Sequence, residues 1–175
     1  MRRVSVVGNS GSGKSSLAAA LADRLEVPYV ELDSIFHQPD WTPLPVEEFR
    51  ARVDEVTETD GWVVDGNYSA VRDIAWRKAD TAVWLDLPRR VVMGQVVART
   101  LWRAIRRTEL WNGNREEWRD MFSRDPEKSI ILWSWTNHAK YHDRYLAAMS
   151  DDAWGHLTFV RLGSRTDVEQ FLVAS

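Results

Sequence analysis

The chain has 175 residues, 44% of them hydrophobic and 28% charged, which suits one globular domain with a good-sized core. A net charge of −3 argues against a protein whose main business is coating nucleic acid. Having no cysteine, it excludes disulfides, thiolate nucleophiles and cysteine-ligated zinc, and no apolar run approaches a membrane span.

Residues 3–7 (Arg-Val-Ser-Val-Val) read as a short strand. It begins almost at Met1, which leaves no room for a signal peptide and points to a cytoplasmic location. Gly8-Asn9-Ser10-Gly11-Ser12-Gly13-Lys14-Ser15 then spells G-x-x-x-x-G-K-S, the phosphate-binding P-loop. A helix follows from Ser16 to residue 25, with Leu17, Leu21 and Leu25 on one stripe. Glycines let the backbone curl so that successive N–H groups face phosphate oxygens. Lys14 is placed for the β- and γ-phosphates, the Ser15 hydroxyl for Mg²⁺, and Ser16 lies in the helical turn whose free N–H groups favour anions. A flexible Gly/Ser linker is the bland alternative, but a linker has no reason to sit between a strand and an amphipathic helix. The pattern implies binding of a nucleoside triphosphate.

Pro28 breaks the chain, and residues 29–32 read as a second strand ending at Asp33. A polar, proline-punctuated stretch covers 37–45, and Pro45 suits the first turn of a helix over 46–57. Residues 62–64 form a third strand closed by Asp65-Gly66, residues 69–78 a helix, and 81–85 a fourth strand ending in Asp86-Leu87-Pro88. Two long helices are predicted over 89–107 and 126–149, the second opened by the Asp125-Pro126 pair. Residues 157–162 make a fifth strand, and Ser164 with Asp167 opens a last helix to Ala174. Strands alternating with helices imply an α/β fold: a parallel five-stranded sheet between two helical layers. Ligands in such sheets bind at the carboxyl ends of the strands, so Gly8, Asp33, Asp65 and Asp86 are candidates for one crevice.

Asp65 stands where P-loop proteins place an acid that orients Mg²⁺; the competing reading, an Asp-Gly hairpin turn, is disfavoured because residues 67–72 lack strand alternation. Asp33 has two open readings, a base for an acceptor hydroxyl or an N-cap for a helix from Ser34. Asp86 reads as a cap for the helix at Pro88. Along that helix Val92, Val96, Arg99, Arg103 and then Arg106 or Arg107 share a stripe that turns from apolar to guanidinium. A helix packed at its start and projecting over the crevice at its end would bring arginines to phosphate oxygens. On the second long helix Trp133, Asn137, Lys140 and Arg144 share a face, with Lys140 and Arg144 expected at the same phosphates. His138 and His142 lie four apart, yet the glutamate of H-E-x-x-H is missing, so they read as structural. The tryptophans at 102, 111, 118, 133 and 135 read as apolar glue of a small helical lid spanning about residues 99–145.

With these residues in place, the chain resembles an adenylate-kinase-type P-loop kinase. More narrowly, it resembles the bacterial DNA topology modulation protein group. Besides the P-loop, the likeness is carried by Glu31-Leu32-Asp33 with Trp41, by the W-x-x-D-G-N-Y segment over residues 62–68, by residues 79–88, and by Arg99 onward. It implies a P-loop NTPase core, a mobile arginine-bearing lid, and transfer of the ATP γ-phosphate to a small acceptor. In the kinases of nucleoside monophosphates an Asp-Gly-aromatic-Pro-Arg segment grips the acceptor phosphate. Here Asp65-Gly66-Asn67-Tyr68 stands in its place, leaving Arg72 or Arg77 to substitute, and Asp33 looks more like the acid of shikimate or gluconate kinases.

The expectation is an ATP- and Mg²⁺-dependent kinase, monomeric or homodimeric. Its catalytic residues would be Lys14, Asp33, Arg99, Arg107 and Arg144, with Arg103 a further lid candidate, and Ser15 and Asp65 would serve the metal. Two rival readings remain: a nucleotide-dependent regulatory ATPase acting on a partner or DNA, and a kinase of nucleic-acid ends.

Overall fold

The computed structural model describes residues 1–106, 110–114 and 129–175, with residues 103–106 described by their helical backbone alone. Among these, five strands form one parallel sheet: β1 (Arg3–Gly8), β2 (Tyr29–Glu31), β3 (Trp62–Asp65), β4 (Thr81–Leu85) and β5 (Thr158–Leu162). Their order is β2-β3-β1-β4-β5. Helices join them: α1 (Lys14–Leu25), α2 (Leu32–Phe36), α3 (Val46–Val56), α4 (Ser69–Lys78), α5 (Arg89–Arg106), α6 (Ile130–Met149) and α7 (Arg165–Ala174). No helix among the described residues is long and apolar enough to cross a membrane.

The period-two alternation of the strands sorts the core into two layers. Val4, Val6, Val63, Val83 and Leu85 meet Leu17, Ala18 and Leu21 of α1, with Val168 and Phe171 of α7 beside them. On the opposite face Val7, Trp62, Val64, Ala82 and Trp84 meet Phe49 and Val53 of α3, Val71, Ile74 and Trp76 of α4, and Tyr141 and Tyr145 of α6. One layer is aliphatic and the other strongly aromatic. The expected three-layer α/β architecture is observed.

Helix α4 and strand β4 occupy the predicted residues, and Ser164 with Asp167 forms a full capping box at α7. Several boundaries differ by a residue or two, and three differences matter more. Pro45 is the N-cap of α3 rather than part of its first turn. The second long helix starts at Ile130 rather than 126, because Ser129 is extended and caps it by accepting the Leu132 N–H; Asp125 and Pro126 lie outside the described residues. Strand β2 stops at Glu31, and Leu32 and Asp33 enter a short helix. Leu32 is buried there beneath Gly66, whose φ of 148° puts a glycine in a conformation that L side chains rarely adopt. A Cβ at Gly66 would strike the Leu32 side chain, so this close crossing depends on glycine.

Register brings the carboxyl ends together. Glu31 of β2 lies beside Asp65 of β3, Val6 of β1 beside Asp65, and Gly8 beside Leu85 of β4.

Candidate active site

Strand β1 runs directly into the glycine turn. Gly8, Gly11 and Gly13 have φ values of 147°, 81° and 93°. The Ser12 N–H donates to Asn9 O at 3.1 Å, and Lys14 Nζ donates to the same carbonyl at 3.1 Å. A Cβ on Gly11 would overlap Val96 Cγ2, so the crest of the loop rests directly on α5. Val92 and Val96 are buried with Leu87, and Ile130 and Ile131 pack against them. The apolar start of the α5 stripe therefore packs on the loop and on α6, while its next member, Arg99, donates to Ser10 Oγ at 3.2 Å. The stripe thus touches the glycine loop at Arg99. Arg107 lies outside the described residues, and so do the side chains of Arg103 and Arg106.

Two residues that sequence reasoning passed over clasp the loop. Asn67 accepts the Gly8 N–H at 3.2 Å and donates to Gly8 O at 2.6 Å, and the Tyr145 hydroxyl donates to Asn67 Oδ1 at 2.9 Å. Ser134, fully buried on α6, accepts from Asn9 Nδ2 at 3.0 Å and donates to Ser10 O at 3.0 Å. Asn67 belongs to the D-G-N-Y segment and was visible as a motif. Ser134 carries no sequence signal beyond being a small polar residue in an apolar helix turn.

The Ser15 hydroxyl donates to Asp65 Oδ2 at 2.7 Å and approaches Glu31 Oε1 at 3.3 Å, while the Tyr29 hydroxyl donates to Asp65 Oδ1 at 3.3 Å. Burial pushes the Asp65 carboxyl up to about 6, against the opposing pull of the Ser15 hydrogen bond and the Lys14 charge; Glu31 and Asp33 add to the rise. Lys14 is held below its ordinary value by burial of its ammonium, although Asp65, Asp33 and Glu31 all pull it upward. Arg99 adds to the lowering. One lysine thus feels all three carboxylates and the arginine. Ser15, Asp65 and Glu31 present hard oxygen donors, which fit Mg²⁺. Among the described residues no group of three or more histidines or carboxylates is placed to hold a metal. A cation here would take its remaining oxygens from elsewhere, as Mg²⁺ bound with phosphates does. Glu31 is the residue that the sequence reading quoted without assigning it a role.

Asp33 does not cap a helix. Glu31 is the N-cap residue of α2, without a side-chain cap bond, and the Asp33 carboxylate instead accepts from the Tyr68 hydroxyl at 2.6 Å. Tyr68 also lies 3.3 Å from His37 Nε2. Burial first, then Asp33, raises the Tyr68 phenol well above its ordinary value. Burial lowers His37. Arg144 sits 5.2 Å from the centre of the Tyr141 ring, and Tyr141 feels both Arg144 and Asp33. Arg144 thus lies against the Tyr141 ring, whereas Lys140 is exposed. Arg72 lines a small cavity with Asn67, Tyr68, Trp76 and Tyr145. Arg77 is a surface residue that lies 3.9 Å from Asp73.

Asp86 is not a cap either: its oxygens accept from His142 at 2.9 Å and from Arg161 Nε at 2.8 Å, and α5 is nucleated by the Pro88 carbonyl. His138 meets Leu87 O at 3.1 Å, so both histidines have structural partners. Among the described residues, the tryptophans do not form one lid core. Trp133 packs against the aromatic layer, Trp102 and Trp135 are half exposed, and Trp111 reaches Glu31; Trp118 lies outside the described residues.

No family model and no curated protein matches this sequence. Solved structures do match across almost the whole chain. The shikimate kinase from Acinetobacter baumannii in complex with shikimate gives a TM-score of 0.59 at 13% identity, covering 99% of this chain and 90% of that one. A gluconokinase from Sinorhizobium meliloti gives 0.53 at 18% identity, covering 99% and 92%. The shikimate kinase from Bacteroides thetaiotaomicron gives 0.52 at 15% identity, covering 99% and 95%. At these identities the likeness is one of fold, the α/β architecture that this chain shares with those shikimate kinases and that gluconokinase.

Proposed function

We propose that the chain is an ATP- and Mg²⁺-dependent phosphotransferase acting on a hydroxyl of a small metabolite. The observation that carries this reading is the Asp33 carboxylate, held by Tyr68 and close enough to Lys14 to shift it together with Asp65 and Glu31. The loop amides of residues 8–15 and the helix start at Ser16 would bind the phosphates, with Lys14 on the β- and γ-phosphates. Ser15, Asp65 and Glu31 would hold Mg²⁺, which when bound would offset phosphate charge. Asp33 takes the proton of the acceptor hydroxyl as that oxygen bonds to the γ-phosphorus and ADP leaves with the bridging oxygen. Tyr68 keeps its proton and orients Asp33. Arg99, Arg144 and Arg107 would balance the charge of a loose transition state, in which positioning outweighs base strength. The similar structures, two shikimate kinases and a gluconokinase, support a small-metabolite acceptor. On residues 62–68 we place the chain nearest the DNA topology modulation group.

The test is labelled ATP with Mg²⁺ against a panel of sugars, hydroxy acids, nucleosides, nucleoside monophosphates and short oligonucleotides. A labelled small product is expected, abolished by Lys14→Ala. Asp33→Asn should cut turnover about 100-fold or more while ATP still binds. Unchanged turnover in Asp33→Asn overturns the base role, and free phosphate as the sole product overturns the phosphotransferase reading.

A further inference from the structure

We infer that Trp111 is a positioning residue for the cation, its indole N–H fixing the Glu31 carboxylate beside Ser15; this rests on the reading of Ser15, Asp65 and Glu31 given above. Glu31 ends β2, a strand at the sheet edge, on a stem with several rotatable bonds. Its two oxygens are used differently. Oε1 faces the Ser15 hydroxyl at 3.3 Å, and Oε2 accepts from Trp111 Nε1 at 2.6 Å. An indole N–H is an uncharged donor with no acceptor capacity. It therefore holds a carboxylate in place without neutralising it, as a lysine or arginine would, and leaves the negative charge for a cation.

Trp111 is itself built into place from the other side. Its ring stacks on His37 with centroids 5.9 Å apart and 23° between planes, and meets Trp41 edge-on. Asn112 Nδ2 donates to Ser34 O and His37 O. Asn114, which is buried, donates to Gln38 O at 2.9 Å and accepts the Trp41 N–H at 2.8 Å. The Leu110 N–H closes the turn on Asn114 O at 2.7 Å. Every one of these partners except Asn114 itself lies within residues 34–41, directly after Glu31. The turn thus grips the stretch that follows Glu31 and Asp33, and one side chain from it reaches Glu31 in the cluster around Ser15.

Trp111→Phe keeps most of the ring and removes the N–H. ADP binding to the full chain is measured by calorimetry with and without Mg²⁺, in the wild-type and Glu31→Gln backgrounds. The Mg²⁺ concentration that half-maximally strengthens ADP binding should rise roughly tenfold in Trp111→Phe. Metal-free ADP affinity should stay unchanged, and the substitution should add nothing once Glu31 is Gln. Equal losses with and without Mg²⁺ would show a merely structural role and overturn the inference, as would no loss at all. If Trp111→Phe does not fold, Asn112→Ala, which frees the turn but keeps the indole, must give the same Mg²⁺-specific loss. Wild-type protein that binds no nucleotide defeats the phosphotransferase reading itself; wild-type binding with an indifferent Trp111→Phe defeats this inference alone.

Discussion

Asp65 carries opposing demands in one side chain. It is buried at 3% exposure, which favours the protonated acid, while the divalent cation proposed for it would need the carboxylate. With its carboxyl raised to about 6, the native state retains a proton over a range where the unfolded chain has released it. The contribution of this group to the stability of the metal-free protein therefore falls as pH rises from about 4 to about 6, where the buried charge comes to cost about 3 kcal/mol, while His37, held below its ordinary value, acts in the opposite sense up to about 6.5. Asp65→Asn should remove that slope and raise the thermal midpoint above pH 7 in EDTA, while abolishing the Mg²⁺ dependence of nucleotide binding. Melting curves between pH 4.5 and 8 decide it; a slope that persists in Asp65→Asn assigns the proton to another group. This residue was legible in the sequence because a strand-ending acid after an apolar run is a local pattern. Glu31 was not, because its meaning comes from register across β2 and β3, which no local pattern encodes.

At the scale of elements, what the sequence specified well was what local chemistry decides. The Ser164/Asp167 capping box, the all-buried strand β4 and the amphipathic α4 each contain their own start and stop signals. The end of β2 was misread because Leu32 continues an apolar strand pattern, yet its burial comes from packing under Gly66 in a different segment. Helix α6 shows the same limit: its apolar periodicity was clear, but not that Ser134 would clasp the glycine loop. That clasp separates two serines of similar local worth. Ser164→Ala loses a cap and should cost about 1 kcal/mol with nucleotide affinity unchanged. Ser134→Ala leaves half-buried Ser10 O without that donor and buried Asn9 Nδ2 without one of its acceptors, and should cost about 1–2 kcal/mol while weakening ATP binding several-fold. Chemical denaturation paired with nucleotide titration separates the two; equal affinities in both variants would show that α6 does not shape the loop.

Across the whole molecule, the glycine loop is tied to every layer that surrounds it. Through Gly11 it rests on α5, through Asn9 and Ser10 it is bonded to α6, and through Asn67 it is joined to the segment after β3, with Tyr145 of the aromatic layer behind it. Trp76 extends this into the core, donating to Ser5 Oγ of β1 at 3.1 Å while its ring meets Trp154 and Phe159. A ligand held by a loop bound this widely stabilises the entire fold, since it binds the native state and not the unfolded chain. ATP with Mg²⁺ at about 100 times its dissociation constant should add about 2.7 kcal/mol. For a chain of this length that is a rise of roughly 5–10 °C in thermal midpoint. Lys14→Ala should melt near the wild-type temperature without ligand, because the lost ammonium is one whose burial already opposes its charge, and should show almost no rise with ATP. A full rise in Lys14→Ala would mean that the nucleotide stabilises the protein from somewhere other than the glycine loop.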